Sequence, residues 1–111
     1  MVVLSGDLGA GKTCFVQGAA RARGVSARVT SPSFVIMRSY DGDVRIVHAD
    51  VYRLDSIQEL YELGFEDLFD PEAITFIEWG DAVAGELPAR RLNVTITADG
   101  DARRIAVEDL R

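Results

Sequence analysis

The sequence predicts a three-layer α/β domain with a mixed sheet, whose parallel core strands are flanked by antiparallel hairpins. Three observations predict it. The apolar runs at 1–5 ("MVVLS") and 74–78 ("ITFIE") have the length and composition of strands buried on both faces. Asp41-Gly42 and Asp99-Gly100 each sit between alternating or β-branched segments, a hairpin pattern expected over 34–49 and 92–108. Stretches of helical spacing at 12–24 and 55–64 lie between these strands.

Each element has its own signal. "MVVLS" runs into glycines, and "KTCFVQGAARARG" then takes up helical spacing, with Phe15, Ala19 and Ala22 on one side and Gly24 as the stop. "SARVT" (26–30) reads as a second strand, broken by Pro32, which donates no ladder hydrogen bond and pushes Ser31 towards an extended conformation. "FVIMRSY" and "DVRIVHAD" form the first hairpin, with Asp41-Gly42 suited to the positive φ of a tight turn. In "DSIQELYELG", Ser56 and Glu59 form a capping box. Ile57, Leu60 and Tyr61 share a face, and Gly64 ends the second helix. "AITFIEW" is a doubly buried strand, and "RLNVTITADGDARRIAVEDL" is the second hairpin.

Composition bounds the function. At 111 residues the chain is one domain, and 48% hydrophobic with 27% charged residues describes a soluble globular chain with a packed core. A net charge of −6 opposes broad attraction to nucleic acid, so any RNA contact is local or made through a partner. The apolar N-terminus is too short for a signal peptide or a membrane span. The single cysteine, Cys14, forms no internal disulfide. It reads as a small buried hydrophobe on the first helix, which fits a reducing, cytoplasmic compartment.

The chain has one lysine, Lys12, and it lies within "GDLGAGKT" at 6–13. Gly6, Gly11, Lys12 and Thr13 satisfy the phosphate-loop (Walker A) pattern between a strand and a helix. Glycines let successive N–H groups curl around an anion, and the following helix adds its positive end. Lysine is a compact charge on a flexible stem, where a planar guanidinium is wider. Thr13 would place its hydroxyl on a magnesium ion. The expected nucleotide-binding set is therefore Gly6, Asp7, Leu8, Gly9, Ala10, Gly11, Lys12, Thr13 and Cys14. The fold expectation sharpens to a P-loop NTPase-like domain binding a nucleotide with Mg2+, which the resemblance named below makes ATP. The competing reading is a glycine-rich turn that only connects strand to helix.

Ligands of parallel sheets lie beyond the carboxyl ends of the strands, so acids ending apolar strands are candidates. Glu78 follows "ITFI" where a Walker-B acid would stand, to bind magnesium through water or to orient the attacking water; otherwise it is an ordinary strand-end acid. Asp50 closes "VRIVHAD" and either completes that site or caps a following turn. With Lys12, these two are the catalytic candidates. His48 points to the same face as Asp50 in a regular strand, and reads as a hydrogen-bonded core group or as an acid or base. Trp79 either covers the nucleotide or belongs to the core. Arg53 is a charge stabiliser supplied in cis or a solvated arginine, and Thr30, Ser31 and Ser33 are γ-phosphate sensors or part of a plain connector.

In this order and spacing, "GDLGAGKT", "TSPSF", "HADVYRL" and "IEWGD" resemble the bacterial TsaE family, the ATPases of tRNA threonylcarbamoyladenosine biosynthesis. The resemblance covers nearly the whole chain. It implies that Gly9 to Thr13 hold ATP phosphates, that Thr13 and Glu78 serve magnesium, and that Asp50 supports hydrolysis. It further implies protein partners that transfer the threonylcarbamoyl group to adenosine 37 of tRNAs reading ANN codons, with tRNA met only through that complex and no membrane involved. The family carries a helix and a strand before the phosphate loop, so the resemblance implies a chain that begins inside the strand leading to the loop. Cys14 stands where a second threonine is usual, and Ser33 keeps the hydroxyl of a common threonine. Rival readings are a small phosphotransferase, for which no lid-sized insertion is visible, and a nucleotide-binding interaction module with little turnover.

Overall fold

The computed structural model describes residues 1–6, 11–30, 37–51, 58, 62, 66–79, 85 and 87–111. Strands β1 (Val2–Ser5), β2 (Met37–Tyr40), β3 (Ile46–Asp50), β4 (Ile74–Glu78), β5 (Leu92–Asp99) and β6 (Ala102–Asp109) form one sheet in the order β2-β3-β4-β1-β5-β6. β3, β4, β1 and β5 run parallel, while β2 and β6 pair antiparallel at the two edges. The expected mixed sheet is thus present, with β5 extending the parallel core beyond β1. Helix α1 (Lys12–Ala22) follows β1, and a 3-10 turn spans Glu66–Phe69. Among the described residues, no helix is long and apolar enough to cross a membrane.

The two sheet faces each bury a cluster. Leu4, Ile46, Phe76, Val94 and Ile96 pack with Val16 and Ala20 of α1, with Phe15 edge-on to Phe76 at 6.4 Å between ring centroids. On the other face Val3, Val47, Ala49 and Ile77 pack with Val51, Leu68 and Leu87. Burying one such aliphatic side chain contributes roughly 2 kcal/mol. This two-sided burial explains the unbroken apolar runs of β3 and β4.

The structure corrects several expectations. Residues 26–30 form no strand; Val25 and Val29 instead plug the α1-side core. The Val25 N–H donates to the Ala20 carbonyl at 3.0 Å, while side chains meet two further backbone groups: Gln17 donates to the Val29 carbonyl at 2.8 Å and the Thr30 N–H donates to the Tyr40 hydroxyl at 3.3 Å. The buried stripe of α1 is Lys12, Val16 and Ala20, flanked by Phe15 and Ala19, so Ala22 and Cys14 are exposed. Cys14 is half a turn from Lys12 and faces outward, not into the core.

The first hairpin pairs Tyr40 with Ile46, so its loop is five residues long (41–45) and not a tight Asp-Gly turn. Gly42 is absent from the positive-φ residues; its glycine is required by close approach, because a Cβ would lie 2.3 Å from the Arg23 carbonyl oxygen. In the second hairpin Asp99 pairs with Ala102, which makes Gly100-Asp101 the turn, with φ 62° at Gly100. Of the second helix expected over 55–64, only Gln58 and Glu62 are described, and both are helical.

Candidate nucleotide and metal site

Three parallel strands end level at one sheet edge. Leu4 and Asp50 are both in register with Glu78, so β1 hands the chain towards α1 beside the carboxyl ends of β3 and β4. Gly6 (φ 146°) and Gly11 (φ 113°) both adopt conformations that L side chains rarely reach, which is why glycine stands at each. Gly11 is the N-cap of α1 and makes no side-chain cap bond, and the first turn carries no acidic residue. A helix start of this kind, with its positive end uncompensated by an acidic side chain, favours an anion.

Lys12 is 5% exposed, a rare environment for an ammonium. Its Nζ donates to the Gly6 carbonyl at 2.7 Å and lies 4.0 Å from the centroid of the Trp79 ring. Trp79 holds φ 64°, costly for an aromatic residue, and its N–H donates to the Leu4 carbonyl at 3.1 Å. The strained turn after β4 thus brings the indole against the lysine.

Glu78 is 4% exposed and His48 is fully buried. Thr13 Oγ1 donates to Glu78 Oε2 at 3.3 Å, and His48 Nε2 meets the same oxygen at 2.5 Å. Asp50 lies half-buried at the end of β3, opposite Glu78. A hydroxyl and a carboxylate oxygen so close are hard donors of the kind magnesium takes. Magnesium typically uses one or two protein carboxylates and leaves its other positions to water and phosphate oxygens. No group of three or more His, Cys, Asp or Glu side chains able to hold a metal occurs among the described residues, and Thr13 with Glu78 is the pair that would fit such an ion.

Of the residues singled out from sequence, the structure gathers Gly6, Gly11, Lys12, Thr13, Glu78, His48 and Trp79 at this edge, with Asp50 one strand away. Cys14 points to solvent. Asp7, Leu8, Gly9, Ala10, Ser31, Ser33 and Arg53 lie outside the described residues. Sequence reasoning missed the His48–Glu78 contact. Side-chain parity put His48 on the Asp50 face, but only the β3–β4 register brings it to Glu78.

The family model for "Threonylcarbamoyl adenosine biosynthesis protein TsaE" matches residues 1–106. The chain belongs to the TsaE family. It is 38% identical to the tRNA threonylcarbamoyladenosine biosynthesis protein TsaE of Treponema pallidum over 104 residues, covering 94% of this chain and 77% of that protein. It is also 38% identical to the Bacillus subtilis TsaE over 105 residues, covering 94% of this chain and 65% of that one. The crystal structure of Bacillus subtilis YdiB superposes with a TM-score of 0.81 at 34% identity, covering 99% of this chain and 68% of that one. This TsaE-family chain thus spans between 65% and 77% of the length of these relatives. Fold and family support a nucleotide-binding or ATPase role in tRNA threonylcarbamoyladenosine biosynthesis.

Proposed function

We propose that the chain binds and hydrolyses ATP with Mg2+ as the ATPase subunit for threonylcarbamoyl modification of tRNA adenosine 37. It acts in the cytoplasm beside the proteins that perform the transfer, and reaches full activity only with them. The observation that carries this reading is the Thr13–Glu78 contact at the sheet edge, next to a buried Lys12 at the start of a helix without an acidic first turn. Lys12 and the amides of the loop and of α1 bind the phosphates; Thr13 and Glu78 hold the metal; Asp50, with Glu78, orders the attacking water. Magnesium bound there supplies charge neutralisation on the phosphate oxygens. Trp79 limits water access to the lysine from the β4 side.

The test is ATP hydrolysis with and without Mg2+, and with and without the partner proteins. Turnover that needs both supports the reading. Phosphate transfer to a small acceptor, or turnover unchanged in EDTA, would replace it.

A further inference from the structure

We propose that His48, with its proton on Nε2, is the positioning residue that anchors the Glu78 carboxylate through Oε2. The inference rests on the ATPase reading above and assigns a part of its site. His48 is fully buried in β3, and among the described residues its Nδ1 has no hydrogen-bond partner. A proton on Nδ1 would be an unsatisfied buried donor, whereas a bare Nδ1 lone pair costs less. The proton therefore sits on Nε2 and is donated to Glu78 Oε2 across 2.5 Å.

Glu78 needs such a donor. At 4% exposure its charge is cut off from water, and its other contact, from Thr13, is long at 3.3 Å. The two contacts also differ in kind. The register pairs His48 with Phe76 and Glu78 with Asp50, so the sheet sets the spacing of the His48 and Glu78 backbones, while Thr13 is carried by α1. With the Thr13 hydroxyl engaged by a metal, His48 would remain to hold the carboxylate. A donor behind a metal-binding carboxylate of this kind orients it without touching substrate.

His48 is the only histidine, so a long-range 1H–15N spectrum of the full chain reports its tautomer without assignment. The expected spectrum shows Nε2 protonated and Nδ1 bare, and protonation at Nδ1 overturns the proposal. His48→Phe keeps ring volume without a donor, and His48→Gln restores an amide donor at similar reach. In His48→Phe, ATP affinity in EDTA should stay within twofold of wild type. The gain in ATP affinity on adding Mg2+, and kcat with the partner proteins present, should each fall on the order of tenfold, with KM for ATP in Mg2+ rising as that affinity falls. His48→Gln should recover most of both. A folded His48→Phe with wild-type Mg2+ response and kcat, or a His48→Gln no better than His48→Phe, overturns the proposal; if His48→Phe does not fold, the tautomer and the His48→Gln kinetics decide. Wild-type protein that binds no ATP removes the ATPase reading and this inference together, whereas an indifferent His48→Phe removes this inference alone.

Discussion

Replacing Lys12 by methionine removes the ammonium while keeping a chain of similar length in the same buried slot. Nζ donates to the Gly6 carbonyl at 2.7 Å and sits 4.0 Å from the Trp79 ring, with the residue almost wholly buried. Binding phosphate therefore does not incur the desolvation of the lysine a second time. A unit charge about 4 Å from a phosphate oxygen, at an effective dielectric of about 20, contributes about 4 kcal/mol. Giving up the Gly6 contact offsets about 1.5 kcal/mol of that. The remaining 2.5 kcal/mol or so corresponds to roughly sixtyfold in affinity. Without ligand, the lost contacts and the relieved desolvation nearly cancel, so folding stability should change by less than about 1 kcal/mol. Lys12→Arg keeps the charge but places a wide planar group between a carbonyl and an indole face, and should lose nearly as much affinity. Calorimetry with ATP and Mg2+ at fixed salt, beside urea unfolding of each variant, makes the measurement. An Lys12→Arg affinity within threefold of wild type would refute the shape argument, and the same for Lys12→Met would refute the phosphate site.

Glu78→Gln and Asp50→Asn should each lose hydrolysis by on the order of tenfold or more with the partners present, Asp50→Asn with ATP still bound in Mg2+ because it acts mainly in the transition state, and Glu78→Gln with ATP affinity unchanged only in EDTA; wild-type turnover in both would make these carboxylates structural. Gly42→Ala should destabilise the fold by about 2 kcal/mol in urea unfolding, since its Cβ would meet the Arg23 carbonyl oxygen at 2.3 Å; a loss below about 0.5 kcal/mol would show that the 41–45 loop yields freely. The side chain and backbone N–H of Arg111 hold the exposed Asp109 carboxyl down to about 2, from 3.8, so an NMR titration should return towards the ordinary value in Arg111→Ala. Because that folded-state value is depressed, the contact favours the folded chain above the unfolded pKa of 3.8, and the contribution disappears as pH falls through about 2.

The parallel core and both hairpins were legible because doubly buried strands and Asp-Gly loops leave composition signals that need no partner to be read. The same reasoning failed at 26–30, where Val25 and Val29 have the look of a strand but serve as pegs beneath α1. Side-chain groups of Gln17 and Tyr40 take the place of a neighbouring ladder, which no local pattern announces. Cys14 was misplaced for a related reason: the helix buries the stem of Lys12, so its inner stripe begins on a charged residue that an apolar count passes over. Gly42 was assigned the right residue type on the wrong ground, a positive φ instead of a close carbonyl. In the site, residue types at strand ends named Glu78 and Asp50, whereas the His48–Glu78 contact depends on register, and register is a property of two strands together.

The side chains of Lys12 and Glu78 are both buried at one sheet end. The ammonium has a carbonyl and an indole face; the carboxylate has an imidazole and a hydroxyl. A buried ion pair that a ligand must separate costs several kcal/mol to open. Contacts from a carbonyl and a hydroxyl are weaker and exchangeable, so a phosphate oxygen can take the lysine and a metal can take Thr13 while the backbone stays in place. The contacts that do not exchange come from the sheet: the β1–β4 pairing sets Leu4 opposite Glu78, and the turn fixed by the Trp79 N–H on the Leu4 carbonyl follows directly. Under the ATPase function proposed above, a rigid strand end carrying replaceable partners is the arrangement that electrostatic preorganisation requires, because the groups that would meet the phosphates and the metal are placed by the sheet beforehand.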